Sequence, residues 1–440
     1  MAPFVHTYLS PQTERRMCCA SREPAQNFKQ YIDTSVGTGI YNPITLEEHW
    51  NSEHMKDVRR RMMNDEQLTE CQVCDHNPAG AYRDYFKALF IHKKDDVLAA
   101  TDETGYTTVK PVSWDYRISN LCNFKCRMCG DMLSSSWESE LKKHNLLNVD
   151  ESKNHWCLPD VRKQIIAHQK NVVAKELAEA VEEHRVEEMY WVGGEPLMME
   201  EHWQTMKRII ELGDGDKVYA RYNTNLSQVK YKGIDLFDDI LPHVRDWQIC
   251  ASMDATEERA EYIRTGLNYT EWLHNYNRGV KSQTKPGQMR LDLTMTLPGF
   301  VDLMPLFDLS VLTDTQILTK MTFAFTPDIY MSPMCLPRDI IDETVDAYLE
   351  EMVPKATWKQ QSLINVLKDM KTQMNFEEQW PIGYGTGIAK GKGIAEVLEE
   401  IRGGATMLDM LKINDKIYDW WEAIEVMSEE EYQQYRYLDV

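Results

Sequence analysis

The sequence contains a run of ten residues, LCNFKCRMCG at 121–130, that places three thiols within eight positions. Cys122, Cys126 and Cys129 follow the strand-like segment SWDYRIS at 113–119. Cysteine thiolates bind zinc and iron–sulfur clusters, and chance is a poor explanation for three of them in one short loop. A structural zinc site takes four protein ligands, and no fourth ligand stands nearby. Three thiolates on a [4Fe–4S] cluster would leave one iron open, so the spacing favours a cluster with a free coordination position.

A glycine pair and a carboxylate follow the next strand-like segment, EMYWV at 188–192. In the motif WVGGEP, Gly193 and Gly194 let the backbone approach a ligand closely and adopt positive φ. Glu195 beside them supplies an acceptor for a hydrogen bond from an ammonium group. Because a glycine pair also makes plain turns, this motif is informative only together with the cysteine motif.

Further polar residues stand where later strand-like segments end, which is where the active face of a parallel α/β fold lies. Asn225 closes YNTN, and Arg264 lies in YIRTG. Ser252 and Asp254 alternate within CASMDA. The Arg264 guanidinium is suited to binding a carboxylate. Each residue alone is equally well explained by a capping or surface role, so their shared order along the chain is the stronger observation.

The segments that must position these residues alternate between strand-like and helix-like patterns. The strand candidates are 113–119, 188–192, 217–223, 246–254, 290–297 and 320–326. Amphipathic stretches lie between them, among them 161–184 and 200–213, and the second is closed by Gly213 in a C′-like position. This alternation predicts an α/β fold with a parallel sheet and right-handed crossovers, and six strands would fit a partial, open barrel.

The motif CNFKCRMC and its ordered companions resemble the signature of the radical S-adenosylmethionine (SAM) enzymes. That signature is CX3CX2C after the first strand of a partial (β/α)6 TIM-like barrel. The resemblance implies a [4Fe–4S] cluster on the three cysteines, with SAM bound to the open iron through its amino and carboxylate groups. It further implies that a reductase supplies an electron, and that SAM is cleaved to a 5′-deoxyadenosyl radical that abstracts hydrogen.

The resemblance also implies which residues contact SAM. In the family, the glycine–glycine–glutamate motif binds the SAM amino group. Polar residues at the ends of strands three and four contact its ribose and carboxylate, and an apolar residue between the last two cysteines meets adenine through its backbone. In this sequence the matching residues are Gly193, Gly194, Glu195, Asn225, Ser252, Asp254, Arg264 as the carboxylate partner, and Met128.

A second group of cysteines precedes this region and comprises Cys18, Cys19, Cys71 and Cys74. The pair in ECQVC is a CX2C half-site for zinc or an iron–sulfur cluster, and the distant pair would complete four ligands. An auxiliary iron–sulfur cluster is the favoured interpretation, with zinc and no metal as alternatives. Outside the two groups, Cys250 lies in an apolar strand and is most simply a small buried hydrophobe, and Cys157 is unclustered.

The N-terminal region resembles the Twitch or SPASM auxiliary-cluster domains of radical SAM proteins, including several phage-encoded relatives that place this region before the barrel. The resemblance lies in YLSPQTERRMCCAS, LEEHWNSEHMKDVRRRMM and ECQVC. Those relatives often begin with a cysteine before an Ala-Pro-aromatic run, whereas this chain begins Met1-Ala2-Pro3-Phe4. The fourth ligand is therefore open: Cys18, Cys335 or a position left for substrate.

These patterns predict three parts: an auxiliary-cluster domain at 1–109, a radical SAM core at 110–338 and a helical, acidic C-terminal extension at 339–440. We expect the extension to cover one side of the core, with substrate gating as the alternative. None of the twelve histidines forms a metal-type constellation, so no catalytic base is assigned.

Composition restricts the partners. The net charge of −21 argues against nucleic acid, no apolar run is long enough to span a membrane, and no signal peptide is evident. We therefore expect a cytoplasmic protein. The leading hypothesis is a radical SAM enzyme that modifies a peptide or protein side chain. The alternatives are a small-molecule substrate, such as a sugar or nucleotide, and a non-catalytic iron–sulfur or zinc protein.

Overall fold

The structure is a computed structural model. It describes residues 1–21, 32–33, 40–41, 43–76, 81–146, 156, 158–321 and 329–426, with backbone alone at 32–33, 40–41 and 81. The fold is mixed α/β and contains parallel strands, as the alternating pattern predicts.

The strands are short and distributed along the whole described chain. In order they are β1 His6–Leu9, β2 Arg15–Arg16, β3 Ile32–Asp33, β4 Ile40–Tyr41, β5 Ser113–Tyr116, β6 Lys125–Cys126, β7 Glu188–Trp191, β8 Tyr219–Thr224, β9 Lys230–Tyr231, β10 Ile234–Asp235, β11 Asp246–Ser252, β12 Arg264–Thr265, β13 Met289–Met295 and β14 Gln316–Met321.

The α-helices lie between and after the strands. In order they are α1 Ala2–Val5, α2 Leu46–Trp50, α3 Glu53–Met63, α4 Gln72–His76, α5 Ala81–Phe90, α6 Lys94–Ala99, α7 Ser135–Lys143, α8 Pro159–His168, α9 Ala174–Glu182, α10 Glu200–Glu211, α11 Glu257–Ile263, α12 Tyr269–Ser282, α13 Leu297–Phe300, α14 Met304–Leu312, α15 Arg338–Met352, α16 Gln361–Thr372, α17 Phe376–Gln379, α18 Tyr384–Arg402, α19 Met407–Leu411 and α20 Asp415–Glu422.

Helix ends follow local sequence signals. Thr45 and Glu48 form a capping box at the start of α2, which satisfies two backbone N–H groups that would otherwise lack partners. Gly213 follows α10 with φ of +78°, the left-handed conformation expected of a C′ glycine. A π-helical turn at Gln169–Val173 joins α8 to α9 within the stretch predicted as one amphipathic helix.

Contacts divide the chain into two compact units. The first unit comprises Met1–Cys122, Asp131–Tyr222 and Val229–Gln248, and the second comprises Asn123–Gly130, Asn223–Gln228 and Ile249–Val440. The chain therefore passes from one unit to the other between Cys122 and Asn123, inside the cysteine motif. The predicted boundaries near 109 and 338 stay a prediction.

In the first unit, β1, β5, β7 and β8 pair in parallel and β2 pairs with β1 in antiparallel fashion. The N-terminal strand-like stretch thus adds a strand beside β5. One face of this sheet is apolar and buried, with Trp114, Met189, Trp191, Ala220 and Tyr222. The opposite face carries polar and charged side chains, described below.

In the second unit, β11, β13 and β14 pair in parallel, and β6 pairs with β12 in antiparallel fashion. The last predicted strand, 320–326, overlaps only the end of β14, and residues 322–328 lie outside the described residues. The described part of the C-terminal extension is helical from Arg338 onward, as predicted. The partial (β/α)6 barrel stays a prediction.

No helix among the described residues combines the length and the apolar run that crossing a membrane requires.

Candidate functional site

In the first unit, the glycine–glycine–glutamate turn packs directly on the segment that leads into the cysteine motif. The Glu195 backbone N–H donates to the Leu121 carbonyl oxygen at 2.7 Å, and the Gly194 N–H donates to the Ser119 carbonyl at 3.3 Å. A Cβ atom built on Gly194 would lie 2.3 Å from the Leu121 oxygen, and Gly193 has φ of +131°. Both glycines are therefore required, one by close backbone approach and the other by its conformation.

The Glu195 side chain is buried, and its Oε1 accepts a hydrogen bond from the Leu197 backbone N–H at 3.1 Å. This contact caps the short 3-10 turn Pro196–Met198 that follows. The carboxylate is thus held in place by its own backbone, beside the residue that precedes Cys122. In the sequence, only the order of the two motifs along the chain indicated that Glu195 lies close to the cysteine segment.

The backbone of Cys122 is fixed by the start of α7. Ser136 Oγ donates to the Cys122 carbonyl oxygen at 2.8 Å, and Ser135 Oγ accepts from the Cys122 N–H at 3.2 Å. Ser134 caps the same helix by accepting from the Trp137 N–H. Three consecutive serines therefore anchor both the helix and the first cysteine.

In the second unit, the segment YIRTG holds the rest of the cysteine motif. β6 pairs with β12 so that Cys126 faces Arg264 and Lys125 faces Thr265. The Cys129 N–H donates to the Cys126 carbonyl at 2.9 Å, which closes the turn between the two ligand candidates. Gly266 has φ of +108°, and a Cβ there would lie 3.0 Å from the Asn123 oxygen.

Arg264 contacts a cysteine and a carboxylate at once. Its Nη2 donates to Asp254 Oδ1 at 2.9 Å, its Nε lies 2.8 Å from Asp254 Oδ2, and its Nη1 lies 3.9 Å from Cys126 Sγ. Both Asp254 and Arg264 are buried, and the Thr294 N–H donates to the same carboxylate. Arg264 is therefore paired with a side chain of its own unit.

Burial and the neighbouring charges shift the pKa values of Cys126 and Asp254. Burial raises the pKa of the Cys126 thiol to about 12, and the Arg264 guanidinium acts in the opposite direction. Burial also raises the pKa of Asp254, while Arg264 lowers it. A cation beside a sulfur favours the thiolate, which is the form that binds metal.

Asn225 also reaches the cysteine motif. Its Nδ2 donates to Asn123 Oδ1 at 3.0 Å, and its Oδ1 accepts from the Ser227 N–H and hydroxyl. Ser252 is half-buried near the end of β11, and Met128 is half-buried between the last two cysteines. The contacts of these residues with a cofactor stay predictions.

The donor chemistry of the motif fits an iron–sulfur cluster. Among the described residues, no group of three or more His, Cys, Asp or Glu side chains is arranged to hold one metal ion. Thiolates of an iron–sulfur cluster bind separate irons, so they need not converge on a single point. Three thiols in one short segment are a donor set of this kind, and cluster binding by Cys122, Cys126 and Cys129 stays a prediction.

The four N-terminal cysteines do not share the same surroundings. Cys18 is buried in an apolar cluster, and Cys71 packs against the same cluster. Burial lowers the pKa of the Met1 amino group, whereas Cys71 and Cys18 raise it, so both thiols lie near that group. Cys74 follows one turn after Cys71, in the middle of α4.

Cys19 instead faces the polar side of the first unit's sheet. Burial raises the pKa of its thiol to about 11, Asp115 raises it further, and Arg117 and a hydrogen bond from Tyr82 lower it. Cys18 and Cys71 thus pack in or against one apolar cluster, whereas Cys19 has different neighbours. Metal binding by Cys18, Cys19, Cys71 and Cys74 stays a prediction.

The polar sheet face was not found from the sequence. Glu188 accepts hydrogen bonds from Ser113 and Tyr85, and Ser113 also bonds to His6 Nδ1. The Arg221 guanidinium lies 4.2 Å from the centre of the Tyr85 ring and 4.4 Å from that of Tyr190.

The same face carries a second charged pair. Arg117 bonds to Asp115 at 3.1 Å and lies over the Tyr8 ring at 4.9 Å. The signal available in the sequence was the alternation of these polar residues within otherwise apolar strands.

Of the remaining cysteines, Cys250 is buried, as expected, and Cys157 lies outside the described residues. Cys335 is fully buried and its thiol donates to the Tyr330 carbonyl at 3.7 Å. Burial also raises the pKa of the Cys335 thiol above its ordinary value, and a role for Cys335 as the fourth ligand stays a prediction.

Comparison with known proteins gives little further information. No protein-family profile matches the sequence, and no curated protein matches it. Among solved structures, the chain is similar to the crystal structure of Streptococcus suis SuiB bound to precursor peptide SuiA, with 13% sequence identity and a TM-score of 0.30. The similar region covers 50% of this chain and 60% of the SuiB chain. A TM-score this low does not establish a shared fold.

Proposed function

We propose that this chain is a radical SAM enzyme whose [4Fe–4S] cluster is held by Cys122, Cys126 and Cys129. When bound, such a cluster supplies an electron for the reductive cleavage of SAM, and the resulting 5′-deoxyadenosyl radical abstracts hydrogen from the substrate. The observation that carries the proposal is the close packing of the glycine–glycine–glutamate turn on the cysteine segment, through the Glu195–Leu121 hydrogen bond.

The chain's own residues would orient SAM. The turn at Gly193–Glu195 is fixed against the cysteine segment and would take the SAM amino group. Asn225 and Ser252 would contact the ribose, and the backbone at Met128 would meet adenine. Arg264 is paired with Asp254 and lies beside Cys126. The SAM carboxylate would therefore meet this ion pair rather than a lone guanidinium.

The substrate would be a peptide or protein side chain. This assignment rests on the resemblance of the cysteine motif and of the N-terminal region to radical SAM proteins with auxiliary clusters. An auxiliary [4Fe–4S] cluster would use Cys18, Cys71 and Cys74, the first two of which pack in or against the same apolar cluster, and Cys19 is the fourth candidate.

The experiment is electron paramagnetic resonance (EPR) spectroscopy of the anaerobically reconstituted, dithionite-reduced protein with and without SAM. An open iron predicts that SAM changes the g-values of a reduced [4Fe–4S] signal. A Cys18→Ala, Cys71→Ala, Cys74→Ala triple variant should keep that SAM-sensitive signal while losing any second one. A reduced [4Fe–4S] signal whose g-values do not change at saturating SAM contradicts the proposal.

The substrate class is tested by product formation. Release of 5′-deoxyadenosine should rise with a candidate peptide and not with sugars or nucleotides. Stimulation by a sugar or nucleotide alone would overturn the peptide assignment while leaving the radical SAM assignment in place.

A further inference from the structure

In the second unit, the long helix α18 contacts both strands that hold the cysteine motif. The Arg402 guanidinium donates from Nη1 to the Lys125 carbonyl oxygen at 3.1 Å and to the Thr265 hydroxyl at 3.2 Å. Lys125 directly precedes Cys126, and Thr265 is its partner in the β6–β12 pair. One side chain of α18 therefore bridges the strand that carries a ligand candidate and the strand that supports it.

One turn earlier on the same helix, Glu399 supports the motif through a tyrosine. Its Oε1 accepts from the Tyr262 hydroxyl at 2.8 Å and from the Met407 N–H at 2.8 Å. The Met407 bond ties this carboxylate to the start of α19. Glu399 and Arg402 are three residues apart, so both point from the same side of the helix.

Tyr262 in turn fixes the residue between Cys126 and Met128. The Arg127 guanidinium lies 3.9 Å from the centre of the Tyr262 ring, and its Nε donates to the Tyr262 carbonyl at 3.1 Å. The Arg127 backbone N–H donates to the Ile263 carbonyl at 2.8 Å. Arg127 is only 3% exposed, so its position depends on this tyrosine.

These contacts form a continuous path from α18 to the ligand-bearing backbone. A hydrogen bond to a charged group is stronger than one between neutral groups, and loss of one partner leaves a buried group unsatisfied. Residues that orient metal ligands from outside the ligand set commonly change metal affinity by about 10–100-fold when replaced.

We propose that Glu399 and Arg402 are positioning residues for the cysteine motif, so the C-terminal helices are part of the cluster site. Through Tyr262 and the β6–β12 pair they set the backbone that presents Cys126 and Cys129. The inference rests on the proposed function for what the motif binds, whereas the positioning itself is a property of the protein without cofactor.

The test compares Glu399→Gln, Tyr262→Phe and Arg402→Gln with Glu400→Gln. Glu400 is exposed on the same helical turn, so its replacement is a matched control. Tyr262→Phe keeps the ring under Arg127 and removes only the hydroxyl. Arg402→Lys keeps the charge and should restore part of the effect. Thermal unfolding identifies any variant that is destabilised as a whole.

The first readout is hydrogen exchange of the protein without metal. The amides of residues 125–129 should exchange about tenfold faster in Glu399→Gln, Tyr262→Phe and Arg402→Gln, and at the wild-type rate in Glu400→Gln. Unchanged exchange in folded variants overturns the positioning role, whatever the motif binds.

The second readout is the reconstituted protein challenged with a ferrous chelator. Iron loss from the three variants should be about tenfold faster than from wild type, with a shifted or broadened EPR signal. If wild type takes up no cluster, the proposed function fails while the exchange result still decides the positioning role. If the three variants exchange faster but lose iron at the wild-type rate and give the wild-type EPR spectrum, the link between positioning and the cluster site is contradicted.

Discussion

Replacing Gly194 by alanine tests the geometry of the candidate site. The added Cβ would lie 2.3 Å from the Leu121 oxygen and 2.7 Å from the Asn120 carbonyl carbon. Ordinary contacts between non-bonded heavy atoms lie near 3.5 Å, so the turn must retreat by about 1 Å. That movement stretches the 2.7 Å bond from Glu195 N–H to the Leu121 oxygen beyond hydrogen-bonding range. Overpacking and the lost bond together cost about 2–4 kcal/mol.

The functional effect should exceed the effect on folding. A displacement of about 1 Å at a positioning group costs up to ~100-fold in rate. We therefore expect Gly194→Ala to bind SAM at least tenfold more weakly, by equilibrium dialysis. Release of 5′-deoxyadenosine, measured by liquid chromatography, should fall by about 10–100-fold.

The matched control is Gly130→Ala, at the other end of the cysteine motif. No heavy atom lies within 4 Å of a Cβ built there, and its φ is not in the left-handed region. This variant should behave as wild type in unfolding, SAM binding and cleavage. The reasoning is refuted if Gly194→Ala unfolds, binds SAM and cleaves it like wild type, because the turn would then not be held against the cysteine segment.

Three further predictions concern buried polar groups. Asp254→Asn leaves the Arg264 charge buried without its partner and should lower the free energy of unfolding by about 3–5 kcal/mol in urea titrations. Lys392→Met removes the donor to the Trp421, Glu422 and Ile424 carbonyls and should lower the melting temperature, whereas Lys355→Met, at an exposed site, should not. Burial lowers the pKa of His202 to about 3, so unfolding takes up a proton below pH 6.5. Because of His202, the free energy of unfolding should fall by about 1.4 kcal/mol for each unit that the pH is lowered from pH 6 to pH 4. His202→Asn should remove this pH dependence in denaturant titrations at several pH values.

Local sequence signals predicted the elements well. Five of the six strand candidates coincide with β5, β7, β8, β11 and β13, because each is an apolar or alternating run bounded by turn residues. The helix at 200–211 was predicted from periodicity and from Gly213, the glycine that follows its end. The sixth candidate overlaps β14 at residues 320–321; β14 begins earlier, at Gln316, and residues 322–328 lie outside the described residues.

Long-range pairing is what the sequence did not show. The expectation that Arg264 meets a ligand carboxylate stays a prediction, whereas its position beside Cys126 and Asp254, set by the β6–β12 pair, was not foreseen. Cys18 and Cys19 are adjacent in the sequence but have different surroundings in the fold. Adjacency in the sequence does not reveal this difference.

The role of the C-terminal extension was also beyond the sequence. The extension carries no recognisable motif, and the bonds from Glu399 to Tyr262 and from Arg402 to Lys125 join residues more than 130 positions apart.

The most direct measurement is 5′-deoxyadenosine formation by the anaerobically reconstituted protein under a strong reductant. The account predicts that wild type cleaves SAM with close to eight irons per chain if both clusters form, or close to four if only the first does. A Cys122→Ala, Cys126→Ala, Cys129→Ala variant should lose cleavage completely, whereas Cys250→Ala, at a buried cysteine of the strand β11, should retain it. Cleavage that survives the triple replacement, or no cleavage by iron-loaded wild type with any candidate substrate, would contradict the account.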